Sequence, residues 1–278
     1  MPSMIIPLQD SVVYGPIRSR RLGASLGINV LPVSRKVCSS NCVYCQYGWT
    51  LPSSSSERLW SDAPTTNPEP APPKAGRVEE LKRAPVLLAE IEAAFQRHAA
   101  SGMPVDCITL AGNGEPTLHP DLLPLVIGIK ALRDRYFPGA RVGILSDATQ
   151  VNRPRVRAAL ERCDARYMKF DAADEATWRR INLPLTSVKF QAMLEGLRTL
   201  RGIVLQSMFI QGSFDNTDEA HLSRWVEAVG SIRPLSVQVY TVDRGTAAPG
   251  ITEVPRATLQ AIADQLTAAT RIPAEVFD

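Results

Sequence analysis

Near-continuous apolar runs recur along the chain at residues 26–31, 106–111, 142–146, 167–171, 203–210 and 237–242. Runs of this kind, such as IVLQSMFI at 203–210, suit strands covered on both faces, as in a parallel sheet. Between them, residues 78–100, 122–136, 153–162, 187–200, 218–231 and 257–270 carry apolar positions at the three- and four-residue spacing of amphipathic helices. Six strand–helix units in alternation predict an α/β fold. Right-handed crossovers curl such a sheet into a full or partial barrel, with the ligand site at the carboxyl ends of the strands. The pattern lapses at about residues 51–75, where Ser, Pro and Thr dominate. This stretch reads as an insertion in a core domain spanning 26–278, with residues 1–25 as a short N-terminal extension. No internal repeat is present.

Composition changes this picture little. The 278 residues are 45% hydrophobic and 21% charged, and 31 basic against 28 acidic residues leave a net charge of +3. That balance speaks against a dedicated nucleic-acid binder, so any acidic partner must be met by a local basic patch. No apolar run approaches the length of a membrane span. Ser19-Arg20-Arg21 followed by ASLGINVLPV looks like a twin-arginine export signal, yet it runs into a cysteine-rich stretch without a small-residue cleavage site. The expectation is a cytoplasmic protein with no membrane partner.

Cysteine usage carries the chemistry. Five is an odd count, and KVCSSNCVYCQYG places Cys38, Cys42 and Cys45 within one short loop after a strand. This layout is poor for disulfides and good for metal ligation in a reducing compartment. A [4Fe-4S] cluster held by four thiolates is closed, whereas one held by three leaves an iron open to a small molecule. Structural zinc is the alternative, but the nearest histidine, His98, lies more than fifty residues beyond Cys45. Cys107 and Cys163 fall on or beside core elements and read as small buried residues.

Polar residues mark the ends of the later strands. ITLAGNGEPTLHP places Gly112, Asn113, Gly114 and Glu115 where the second strand should stop, and glycines there allow close backbone approach to a ligand. Glu115 can instead close the loop by accepting backbone hydrogen bonds. Ser146 ends the third strand, and Lys169 and Asp171 end the fourth, where a rim ion pair is the plainer reading. Gln206, Gln238 and Tyr240 interrupt apolar runs and face either the barrel interior or core hydrogen-bond partners. Arg18, Arg20 and Arg21, with Arg244, can clamp a phosphate or carboxylate of a substrate or simply form a solvated basic surface.

The C-x3-C-x2-C spacing, with Tyr44 before the last cysteine, resembles the radical S-adenosylmethionine (SAM) superfamily. GNGEPTL is similar to the strand-end loop of its members related to the wyosine-base synthases of transfer RNA, with Asn113 departing from the strict Gly-Gly-Glu form. YGPIRSRRLGASLG followed by the cysteine motif resembles a group of bacterial iron–sulfur oxidoreductases of that superfamily, from Tyr14 to about Gly250. The resemblance implies a partial (β/α)6 barrel with a [4Fe-4S] cluster on Cys38, Cys42 and Cys45. It implies SAM contacts from Tyr44, the Gly112–Glu115 loop, Ser146, Lys169 and Asp171. It also implies an electron donor such as a flavodoxin or ferredoxin, and hydrogen abstraction from a substrate: a nucleotide, an RNA base or a phosphorylated metabolite. A glycyl-radical-enzyme activase and a non-catalytic iron–sulfur redox protein are the rival readings.

Overall fold

The computed structural model describes residues 5–50 and 81–277; the expected insertion at 51–75 lies outside the described residues. The chain runs β1 (Val13–Ser19), β2 (Gly23–Ile28), α1 (Ala84–Ala100), β3 (Cys107–Leu110), α2 (Leu122–Tyr136), β4 (Arg141–Ser146), α3 (Pro154–Arg162) and β5 (Ala165–Lys169). It continues through α4 (Glu175–Ile181), α5 (Phe190–Thr199), β6 (Ile203–Met208), β7 (Gln211–Gly212), α6 (Glu219–Ile232), β8 (Ser236–Tyr240), β9 (Ile251–Thr252), α7 (Arg256–Thr270) and β10 (Ala274–Phe277). An eight-stranded sheet in the order β1-β2-β3-β4-β5-β6-β8-β10 is parallel throughout except for the antiparallel β1–β2 hairpin at one edge. It is the curled, partial α/β barrel expected from the six strand–helix units.

The strand period of two separates the faces. Ile108 and Leu110 of β3, Val142 and Ile144 of β4, and Leu26 and Ile28 of β2 are buried in the core shared with the helices. Cys107, Ala165 and Tyr167 turn to the other side, where Leu22 of the β1–β2 turn packs against them. The hairpin also joins the two ends of the sheet. Arg20 Nη2 lies 2.7 Å from Asp243 Oδ2 just beyond β8, and the Arg21 guanidinium lies 4.3 Å from the centre of the Tyr240 ring.

Several boundaries shift for local reasons. The first strand begins at Gly23 and ends at Ile28 rather than spanning 26–31, because Asn29 folds its amide onto the backbone of Leu31 and turns the chain. The helix expected from residue 78 starts at Ala84, where Pro85 fits its first turn. Strands β1 and β10 were not anticipated: β1 mixes exposed and half-buried residues, and β10 is only four residues long. Helix α4 is too short to show a period, but the Asp174 carboxylate accepts the Thr177 N–H at 2.8 Å and caps it.

The cysteine loop follows β2 and is stitched to the exit of β3. Val37 N donates to Asn113 O at 2.8 Å and Glu115 N donates to Val37 O at 2.9 Å, forming a bridge between Val37 and Gly114. Gly114 has φ of +136°, and a Cβ there would stand 1.8 Å from Val37 O. Both backbone and space require glycine. Gly114→Ala is therefore expected to lower unfolding stability by roughly 3 kcal/mol or more. Gly139→Ala, at a position with nothing within 4 Å, should stay within about 0.5 kcal/mol of wild type. Urea denaturation of both variants checks the difference.

Candidate active site

The site is built on the cysteine loop and the strand ends around it. Ser39 and Ser40 both donate to Asp147 Oδ2, at 2.6 and 2.8 Å, fastening the loop to the exit of β4. Asn41 N bonds Asn182 O at 3.0 Å, and Val43 N bonds Ile181 O at 2.9 Å, fastening it to the end of α4. Ala248 N reaches Val43 O at 2.8 Å from beyond β8. Cys45 N and Gly48 N then donate to Cys42 O and Cys45 O, winding the loop through successive turns.

Cys42 is buried, and Cys38 and Cys45 are half-buried. Burial pushes the Cys42 thiol up to about 11 and raises Cys38 as well, while Lys169 pulls Cys42 down and Lys36 pulls Cys38 down. Lys36 Nζ stands 3.1 Å from Cys45 Sγ and 2.7 Å from Gly48 O. Asn182 Nδ2 stands 3.4 Å from Cys42 Sγ. Among the described residues, no three His, Cys, Asp or Glu side chains are already gathered as a metal-binding group. The chemistry of the donor set nevertheless fits an iron–sulfur cluster: three thiols on one pinned loop, with two ammonium groups acting on them. Binding must displace the protons that burial favours on Cys38 and Cys42.

A second network lies at the end of β5. Asp171 is buried, and its Oδ1 accepts from Met208 N at 2.8 Å. Its Oδ2 accepts from the Tyr44 hydroxyl and from Asn182 Nδ2, the latter at 2.8 Å, and lies 3.8 Å from Lys169 Nζ. Burial opposes the charge on Lys169, but Asp171, Tyr240 and Cys42 together outweigh it and hold that pKa up. The ammonium also sits 4.9 Å from the centre of the Tyr44 ring. Asn182 Oδ1 is buried without a partner. Asn182 also lines a narrow cleft with Ser40, Asp147, Lys169 and Trp178.

Several of the residues expected at the ligand site make internal hydrogen bonds. Asn113 donates to Gln9 O and Pro32 O and accepts Gln9 N, so its side-chain amide clips the loop together. Glu115 takes the structural alternative: Oε1 accepts from Thr117 N and Oγ1, and Oε2 accepts from Asp147 N at 2.6 Å. Asp171 holds Tyr44 and Lys169 in place. Ser146 Oγ accepts from Ala148 N at 3.1 Å. Gly112 has φ of +136° and lies against the Asn29 side chain.

The arginines do not form one clamp. Arg20 and Arg244 share Asp243, and Arg21 reaches Tyr240. Arg18 is exposed and pairs with Ala24, which places it on the helix side of the sheet. Gln206 and Gln238 hydrogen-bond each other at 2.7 Å, and Lys169 Nζ lies 3.1 Å from the Tyr240 hydroxyl. Sequence reasoning missed Lys36 and Asn182. The adjacency of Lys36 to the motif was a usable signal, whereas nothing in RRINLPL distinguishes Asn182.

No family model matches the chain. Over 249 residues it is 29% identical to a UPF0026 protein of Helicobacter pylori strain J99, covering 87% of this chain and 70% of that protein. Over 232 residues it is 31% identical to a UPF0026 protein of Synechocystis sp., covering 82% and 74%. Among solved structures, TYW1 with a lysine-pyruvate adduct bound superposes with a TM-score of 0.61 at 15% identity, over 88% of this chain and 74% of that one. A radical SAM methyltransferase from Sphaerobacter thermophilus gives 0.59 at 13% identity, over 91% and 65%. Streptococcus suis SuiB bound to S-adenosylmethionine gives 0.59 at 12% identity, over 91% and 50%. At these identities the likeness to the solved structures is one of fold.

Two outcomes follow from the buried charges. Asp171→Asn should cost roughly 2 kcal/mol of unfolding stability, because it leaves the half-buried Lys169 ammonium without its carboxylate. Asp171→Asn with Lys169→Met should recover part of that loss in a double-mutant cycle. Burial, then the charge of Asp147, pushes Glu115 from its ordinary 4.5 up to about 8. The fold therefore favours the protonated form. Its contribution to stability is complete below about pH 4.5 and is lost as the pH rises through about 8. Urea midpoints of the ligand-free chain should fall over that range, and Glu115→Gln should flatten the slope.

Proposed function

The chain belongs to the UPF0026 family and has the fold of radical SAM enzymes, and on that premise we propose that it is itself a radical SAM enzyme acting on a substrate held inside the barrel. Cys38, Cys42 and Cys45 would hold a [4Fe-4S] cluster, and the cleft beside Asn182 and Lys169 would take part of SAM. When bound, the cluster and SAM together supply one-electron cleavage of SAM to methionine and a 5'-deoxyadenosyl radical that abstracts hydrogen from the substrate. The observation that carries this reading is the three-thiol loop pinned at the carboxyl ends of parallel strands, with Lys36 beside Cys45 Sγ.

Each neighbouring residue has a definable task. Lys36 and Lys169 offset negative charge as thiolates form. Tyr44 is held by Asp171 and Asn182 with its ring against Lys169, a rigid apolar wall beside the cysteines. Gly112 and Gly114 bring strand-end backbone close to the loop, leaving no Cβ in the way. Leu22 and Tyr167 fill the barrel interior and restrict water, which a reactive carbon radical requires. A flavodoxin or ferredoxin is the proposed electron donor, and the substrate is a small molecule or nucleotide that fits within the barrel.

Anaerobic reconstitution with iron and sulfide tests the proposal. The reduced protein should show a [4Fe-4S]+ electron paramagnetic resonance signal that changes when SAM is added, and it should release 5'-deoxyadenosine. Cys38→Ala, Cys42→Ala and Cys45→Ala should each remove both properties while leaving the circular dichroism of the fold intact. A signal indifferent to SAM, with no 5'-deoxyadenosine formed, sinks the reading in favour of a non-catalytic iron–sulfur protein.

A further inference from the structure

Among the described residues, the cation Arg21 inside the barrel has no carboxylate counter-ion. Lys169 faces Asp171, while Arg20 and Arg244 face Asp243. Arg21 is half-buried, its Nη1 is buried with no hydrogen-bond partner, and among the described residues no carboxylate lies within ion-pair reach of it. Its guanidinium rests over the Tyr240 ring at 4.3 Å and acts electrostatically on Tyr167. An aromatic face offsets only part of the cost of taking a guanidinium out of water. Its buried Nη1 N–H groups still want an acceptor, and that ring supplies none.

The position of Arg21 is built rather than incidental. Ser19 Oγ accepts its backbone N–H at 3.2 Å, and the neighbouring Arg20–Asp243 pair latches the hairpin turn to the segment after β8. Leu22, the next residue, is plugged into the interior. Gln238 stands two residues before Tyr240 on the same face of β8, hydrogen-bonded to Gln206 of β6. A guanidinium held over an aromatic ring, beside a pair of side-chain amides and the Lys169–Tyr240 contact, is a set of convergent donors awaiting an acceptor.

We propose that Arg21 anchors an oxyanion group of the substrate, a carboxylate or a phosphate, inside the barrel. This rests on the radical SAM reading for the identity of the ligand as substrate, but the anion site itself stands on the uncompensated cation. It also assigns a task to β1, which lies outside the six strand–helix units, and to the turn that follows it: they carry the binding residue from one edge of the sheet across to β8.

The test uses cluster- and SAM-loaded protein, with sodium phosphate or sodium acetate as probe against sodium chloride at matched ionic strength. The melting temperature of wild type should rise by about 2–4 °C with phosphate or acetate. Arg18→Gln should behave as wild type, and Arg21→Gln should show no rise. A response to phosphate alone assigns a phosphorylated substrate, and one to acetate alone assigns a carboxylate; either supports the site. No rise in wild type, or an equal rise in Arg21→Gln, overturns it. If Arg21→Gln does not fold, arginine modification of wild type by p-hydroxyphenylglyoxal with peptide mapping decides: the anion should slow labelling of Arg21 several-fold more than that of Arg18, and equal slowing overturns the site. 5'-Deoxyadenosine release in the same samples, without added substrate, reports the radical reading separately. Its absence with the anion shift intact refutes the enzyme class and not the anion site.

Discussion

The cysteine loop packs Cys42, Val43 and Tyr44 into a small apolar cluster with Ile181, Ile210 and Ala248, and its shape is fixed by hydrogen bonds to the strand and helix ends around it. Val37 is bridged to Gly114, Ser39 and Ser40 hang from Asp147, and Asn41 and Val43 are tied to the end of α4. Backbone and short polar side chains make nearly all of these ties. Such ties hold positions to a few tenths of an ångström where loop packing alone would not. Gly114 shows how tight the arrangement is, since a single methyl group at that position would overlap a carbonyl oxygen. The parallel sheet matters to the site because it delivers three strand ends to one place, and from there the ties reach the thiols.

Around this scaffold the buried charges are distributed unevenly. Asp171 balances Lys169 and orients Tyr44 and Asn182, so most of that network is satisfied within the protein. Among the described residues at the site, the Asn182 Oδ1 acceptor, the Cys38 and Cys42 thiols that burial holds protonated and Arg21 Nη1 are not. Buried groups left without partners cost stability, and they concentrate where a protein waits for ligands. One acceptor, a set of soft donors and one cation are the groups on which the proposed cofactor, cluster and substrate contacts rest.

Much of this was legible in the chain. The six apolar runs marked the six core strands, because strands covered on both faces leave no polar alternation to misread. The cysteine spacing marked the loop. What escaped was set by tertiary contacts. β1 and β10 are edge strands with mixed exposure, and their pairing depends on neighbours distant in sequence. Asn113 and Glu115 sit in a motif that suggests ligand contact, but their side chains close the loop. Three arginines within four residues looked equivalent, yet strand register sent Arg18 outward while the turn sent Arg21 inward. Asn182 carried no signal, since its importance lies in which residues it touches.

The most direct test of a cluster held by three cysteines is electron–nuclear double resonance on the reduced, reconstituted protein with SAM carrying 15N in its amino group and 17O in its carboxylate. Hyperfine coupling of both labels to the cluster is expected, showing that the iron without a protein ligand receives SAM. A reduced cluster with no coupling to either label would contradict the assignment of Cys38, Cys42 and Cys45 as the only protein ligands of an open [4Fe-4S] centre.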